Sequence, residues 1–117
     1  MKDYLLHYAA AAFMFYARGN HAHYTDAGEI DDIHAVKTAL MIMTPECRRA
    51  VEIVYFAVAR NDPTGESIND GVIRAAYEMN TTTQQVQKWL KKARIIFAVE
   101  RDLRLPVDYL TKRRIRN

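Results

Sequence analysis

The sequence predicts an all-α protein, a five-helix bundle whose last two helices form a C-terminal helix-turn-helix. Three observations carry that expectation. Apolar residues recur at three- and four-residue spacing along the long segments. Helix start and stop signals divide those segments: Gly19-Asn20, Thr44-Pro45, Ser67, Thr82 and Pro106. No alternating run of strand length stands out. With 117 residues, 50% of them hydrophobic and 26% charged, the chain reads as one domain with enough apolar material for a single core. Residues 1–43 form an N-terminal helical part for packing or dimerisation. Residues 44–104 carry the helix-turn-helix, and residues 105–117 form a basic tail.

The first helix is expected over residues 3–18, where Leu, Ala, Met and Phe dominate before Gly19-Asn20. It is apolar nearly all round, so it must be covered on several sides, by its own domain or by a second subunit. The stretch "GNHAHYTDAG" reads as a loop. A second helix over residues 29–43 places Ile30, Ile33, Val36, Ala39, Leu40 and Met43 at helical spacing, with acids in its first turn. Thr44 is a natural N-cap for the third helix, Pro45 fits its first position, and Glu46 puts negative charge at the favourable end. That helix runs to about Arg60 and buries Val51, Val54, Tyr55 and Val58. "NDPTGES" is a turn-rich loop. A fourth helix spans about Ile68 to Met79, capped by Ser67 or Asn69. The fifth begins near Thr82 and reaches Leu103 or beyond, to be ended or broken by Pro106. "VDYLTKRRIRN" is either a short last helix or a frayed basic tail.

Charge is distributed unevenly. Residues 1–80 carry seven Lys/Arg against eleven Asp/Glu, whereas residues 81–117 carry ten against three. A basic C-terminal third on an acidic body is suited to a polyanion docking at one end. The single cysteine, Cys47, permits no intrachain disulfide and reads as a small buried hydrophobe. The longest uncharged apolar stretch, Tyr4 to Ala17, has 14 residues. That is short of the ~20 a bilayer requires. The expectation is a soluble, cytoplasmic protein with no membrane partner.

The segment from Ala75 to Phe97, "AAYEMNTTTQQVQKWLKKARIIF", meets four local demands of a helix-turn-helix. Ala76 is the small residue where the helices cross. Asn80 stands where a left-handed backbone is needed, the place usually held by Gly. Thr82 caps the second helix, and Gln85 three residues later makes a T-x-x-Q capping box. Val86, Trp89, Leu90 and Ala93 form a buried stripe, with Trp89 packing in the core rather than stacking on bases. Thr83 and Gln84 then occupy an exposed first turn. Gln87, Lys88, Lys91 and Lys92 lie roughly opposite the stripe. A recognition helix meets base edges with its N-terminal residues. Gln pairs bidentately with adenine, and Thr donates, accepts or touches a thymine methyl. Lysines one turn on hold phosphates, which position the protein without reading sequence. The expected DNA-binding set is Thr82, Thr83, Gln84, Gln87, Lys88, Lys91 and Lys92.

"MTPECRRAVEIVYF" followed by "VIRAAYEMNTTTQQVQKWLKKAR" resembles the C-terminal DNA-reading region of bacterial sigma factors, and the small sigma-like regulators of phages and plasmids. The likeness spans Thr44 to about Ala98. It rests on Thr44, Pro45, Arg48, Tyr55, Phe56, Ala76, Val86, Leu90 and Ala93. The resemblance implies DNA-contacting roles for Thr83, Gln84, Gln87, Lys88 and Lys91. Two departures accompany it. "VIRAA" replaces the family's Glu-Ile-Ala and follows a longer loop, and no segment resembles the sigma region that binds core polymerase and melts promoters.

Other chemistries find little support. His21, His23 and His34 lie near Asp26, Glu29, Asp31 and Asp32, but their spacing fits no standard zinc pattern, so no metal site is expected. His7 reads as a packed or hydrogen-bonded helix residue. No nucleophile–base pair, Gly-rich phosphate loop or catalytic carboxylate pair is evident, so neither an enzyme nor a cofactor is expected. Ile95, Ala98 and Val99 give the far end of the fifth helix an apolar side. The first helix is expected to pack there, within one chain or across a symmetric homodimer. The functional expectation is a sequence-specific transcription regulator that binds double-stranded DNA. The alternative is a sigma mimic or adaptor that binds RNA polymerase or a regulator with the same surface.

Overall fold

The structure, a computed structural model, describes residues 4–19, 27–60 and 67–102. Residues 20–26 and 61–66, with His21, His23 and Asp26, lie outside the described residues, as do Pro106 and residues 105–117 as a whole. The described residues form five helices and no strand. These are α1 (Tyr4–Arg18), α2 (Ala27–Ile42), α3 (45–60), α4 (Ile68–Glu78) and α5 (Thr83–Glu100).

Each boundary has a local cause. α2 gives way to α3 at Thr44, whose extended backbone lets Oγ1 accept from the Cys47 amide at 3.2 Å, with Pro45 next in line. Arg48 reaches back from α3 so that its Nε donates to the Leu40 carbonyl at 2.8 Å, satisfying one of the orphan acceptors at the end of α2. Ser67 opens α4 with a reciprocal capping box. Its Oγ accepts from Asp70 N at 3.1 Å, and Asp70 Oδ2 accepts from Ser67 N at 3.3 Å. α3 is not regular throughout. Pro45–Val51 and Ala57–Arg60 are α-helical, and Glu52–Phe56 between them forms a π turn.

α5 is the central element and packs against all four other helices. Its stripe of Val86, Leu90, Ala93 and Phe97 is fully buried, together with Ala98. α1 covers the far end of this helix within the same chain, the first of the two arrangements expected. Phe13, itself fully buried, stacks on Tyr55 of α3 at 5.7 Å and meets Phe97 at 5.7 Å. Tyr8 stacks on Phe97 at 6.1 Å, and Tyr16 meets Phe56 at 5.9 Å. Each fully buried aromatic of this kind contributes about 1.5–3 kcal/mol of transfer free energy, and ring pairing adds to it. Ile33, Val36 and Ala39 of α2, with Met43 just after it, complete the core, and Cys47 is a buried thiol there.

Two expectations change. α5 stops at Glu100, short of Leu103. Asp102 adopts φ 60, and its N–H returns to the Val99 carbonyl at 3.1 Å, so a left-handed residue ends the helix before Pro106 is reached. His7 is exposed rather than packed, because it lies on the outer side of α1 from Ala9, Ala12 and Phe13. No helix among the described residues is long and apolar enough to cross a membrane.

Candidate nucleic-acid interface

The turn between α4 and α5 is short and closely bonded. Met79 caps α4, Asn80 takes φ 54, and two bonds close behind it. Thr81 N donates to Ala76 O at 2.9 Å, and Asn80 N donates to Tyr77 O at 3.2 Å. This is the Schellman pattern, with asparagine in the left-handed position where glycine is commonest. Ala76, the small residue expected at the crossing, is buried.

Thr82 then starts α5. Its backbone is extended, and Oγ1 accepts from the Gln85 amide at 3.1 Å. The reciprocal half expected of Gln85 does not form; the box with both halves closed is the one at Ser67. The Thr82 hydroxyl, having accepted one bond, retains a proton to donate. The first turn of α5 carries no acidic residue, whereas those of α2, α3 and α4 carry Glu29, Glu46 and Asp70. The positive end of the α5 dipole is therefore not neutralised by a side chain of its own.

Six of the seven expected DNA-binding residues face outward. Thr82, Thr83, Gln84, Gln87, Lys88 and Lys92 are all exposed. Lys91 departs from the expectation. It is half-buried and already engaged in an interaction. It directly follows the fully buried Leu90, and a lysine on the shoulder of an apolar stripe lays its aliphatic stem along that surface. Trp89 is half-buried against the core, in line with a packing role. The exposed set forms one surface along the front of α5, with glutamines three residues apart and lysines four apart. At those intervals helix side chains are neighbours.

Four residues near this surface escaped the sequence reading. Tyr77, on the last turn of α4, is 88% exposed beside the turn, and Ile73 one turn earlier is 55% exposed. The signal was available, since both fall off the Val72-Ala75-Ala76 stripe. Arg94 and Arg74 face inward. Arg94 Nη1 donates to the hydroxyl of Tyr55 at 2.5 Å, and Arg74 Nη2 donates to the Ile53 carbonyl at 2.5 Å. Burial pushes the Tyr55 phenol above its ordinary pKa, against the opposing pull of the Arg94 charge. Arg74 thereby ties α4 to α3.

At the other end of α5, Arg101 Nε bonds Asp32 Oδ1 of α2 at 2.7 Å, and the Tyr8 hydroxyl of α1 lies 2.8 and 2.9 Å from the two Asp32 oxygens. One carboxylate thus joins three helices. Partial burial, and then the bond to Asp32, hold the Tyr8 phenol above its ordinary pKa, and the same carboxylate raises that of Arg101. Against family models, curated proteins and solved structures, the chain finds no match.

Proposed function

We propose that the chain is a sequence-specific transcription regulator that binds double-stranded DNA, with α4, the turn and α5 acting as a helix-turn-helix. One observation carries this reading. The front of α5 is rigidly started by Thr82 and anchored by the buried Val86, Leu90 and Ala93, yet it leaves Thr83, Gln84, Gln87, Lys88 and Lys92 in solvent. Donor–acceptor side chains on a fixed rod suit base edges in a major groove. Lysines one turn on suit phosphates, whose neutralisation makes affinity salt-dependent. The resemblance to the DNA-reading region of sigma factors supports the same assignment.

The test is selection of bound sites from a random duplex library, followed by paired substitutions. Gln84→Ala with Gln87→Ala is expected to lower affinity for the selected site by about tenfold or more while scrambled duplex binds as before. Lys88→Ala with Lys92→Ala is expected to weaken both duplexes and reduce the salt slope by about 1–2. Equal losses on every sequence for both pairs would remove base reading.

A second reading has one observation in its favour. Ile73 and Tyr77 present an exposed apolar and aromatic strip on the outer face of α4. Such a strip suits a protein partner, so a sigma mimic or adaptor that contacts RNA polymerase is the alternative. A gel shift against random genomic DNA at two salt concentrations separates the two, because an adaptor leaves the duplex unshifted at both.

A further inference from the structure

The π turn in α3 is the seat on which α4 packs, and it takes a side-chain bond from each helix of the pair. In a regular α-helix the Ala57 amide would bond the carbonyl four residues back, that of Ile53. Here it donates to Glu52 O, five residues back, and to Val54 O. Ile53 O therefore loses its ordinary donor, and Arg74 of α4 supplies one. Two residues on, the fully buried Tyr55 offers its hydroxyl to Arg94 of α5. Gly71 of α4 completes the seat. A Cβ there would stand 3.1 Å from Val58 Cγ2 and 3.3 Å from the Val54 Cα, so any larger residue would need α3 to give by a few tenths of an ångström.

The Arg94 contact is a costly way to fill that space. Its Nε is buried without a hydrogen-bond partner, and the group Nη1 meets is a neutral phenol rather than a carboxylate. An aliphatic side chain would fill it at less electrostatic cost. What the guanidinium supplies instead is direction, because an apolar contact tolerates rotation and sliding that a short hydrogen bond does not. Arg94 lies two turns behind Gln87 on the same helix. We propose that Arg94, held by Tyr55 on the π turn, is a positioning residue that sets the angle at which Gln84 and Gln87 meet a duplex. It rests on the DNA-binding reading and names the residue that governs sequence preference without touching DNA.

The full chain is tested with Arg94→Met, Arg94→Lys and Tyr55→Phe, using the selected duplex and a scrambled one, and with native-state amide exchange. Arg94→Met and Tyr55→Phe are expected to lower the selected-to-scrambled affinity ratio by about tenfold, with scrambled-duplex affinity and salt slope unchanged. Amides of Thr83 to Lys88 are expected to exchange about tenfold faster in both, and those of Ile33 to Ala39 at the original rate. Arg94→Lys, which keeps a donor for Tyr55, is expected to recover most of the ratio. A lower melting temperature with the ratio unchanged, or equal losses on both duplexes, overturns the proposal and leaves a plain packing role. If Arg94→Met fails to fold, Tyr55→Phe still decides, since it removes one oxygen and keeps the ring. If the wild-type chain shows no sequence preference, the DNA reading falls by itself. The exchange comparison then judges the pin: faster exchange at the front of α5 upholds it, and unchanged exchange overturns it.

Discussion

The two ends of α5 are built on opposite principles. From Thr82 to Lys92 the helix touches the body along one side, and Thr82, Thr83, Gln84, Gln87, Lys88 and Lys92 stand in solvent. From Ala93 to Arg101 it is enclosed by α1 and α2, with Phe97 and Ala98 fully buried and Arg101 bonded to Asp32. A single rod therefore has a held end and a free end. Stability is concentrated at the back, and the surface available to a partner lies at the front. Substitutions at the back should change how much protein is folded, and those at the front what the folded protein meets.

The strongest way to break that division is Phe97→Ala. The side chain is fully buried and touches the rings of Tyr8 and Phe13. Removing it should cost about 3–5 kcal/mol. Denaturant unfolding should show the midpoint falling by the corresponding amount. If the division is sound, the fraction that remains folded keeps the affinity ratio of the front surface. A ratio that collapses along with stability would show that the two ends are not separable.

Asp32→Ala is the next largest. It removes the acceptor shared by Tyr8 and Arg101, whose side chain is 23% exposed. Leaving those donors without their partner costs about 1–3 kcal/mol, with the lower part of that range favoured because solvent reaches the pair. The loss should show in thermal melting at low salt and shrink little at high salt, since partly buried pairs are screened weakly. A change within ~0.5 kcal/mol would mean that aromatic packing alone holds the back of α5.

The same division governs what the sequence made legible. The front of α5 announced itself through local chemistry. A threonine cap, an asparagine for positive φ and a three-and-four stripe each need only their neighbours in the chain, and each lies where expected. The helix order and most boundaries were legible for the same reason. What escaped was long-range. The bonds of Arg94 to Tyr55, Arg74 to Ile53 and Arg101 to Asp32 join residues 39, 21 and 69 apart in the chain. No periodicity encodes such partners, and an arginine on a helix reads as surface until its acceptor is known. The π turn at Glu52–Phe56 left no signal either, because it arises where α3 must accommodate two other helices at once. Lys91 was assigned outward on helical angle alone, and angle says nothing of how far a neighbouring element reaches.

A pH titration sharpens the contrast at the middle of the rod. Burial raises the Tyr55 phenol above its ordinary value of 10.0, so the folded state keeps this proton longer than the unfolded state does. The stability it contributes is fully present below pH 10 and is lost as pH climbs through the raised value. Tyr55→Phe should be less stable than wild type at pH 8, because Arg94 Nη1 loses its acceptor. The gap should narrow above pH 10, where only the wild-type chain must give up a proton from that position. Urea midpoints at pH 8 and above pH 10 test this, and a gap that widens with pH would place Tyr55 in a polar setting the fold does not show.

The smallest expected effect belongs to the turn that joins the two helices. Asn80 holds φ 54 with its amide bonded to Tyr77 O. Asparagine tolerates this region better than other L residues, yet glycine reaches it without a Cβ penalty. Against that gain, glycine adds freedom to the unfolded chain, which costs about 0.4–1 kcal/mol. The two nearly cancel, so Asn80→Gly should shift stability by less than about 0.5 kcal/mol in either direction. Asn80→Ala has no such compensation. It keeps the Cβ and loses asparagine's ease in the left-handed region, and should cost about 1 kcal/mol. Measured together by thermal melting, the pair isolates backbone geometry from side-chain bonding. If glycine proves as damaging as alanine, the Asn80 side chain makes a contact that matters, and the turn is held by more than its two backbone bonds.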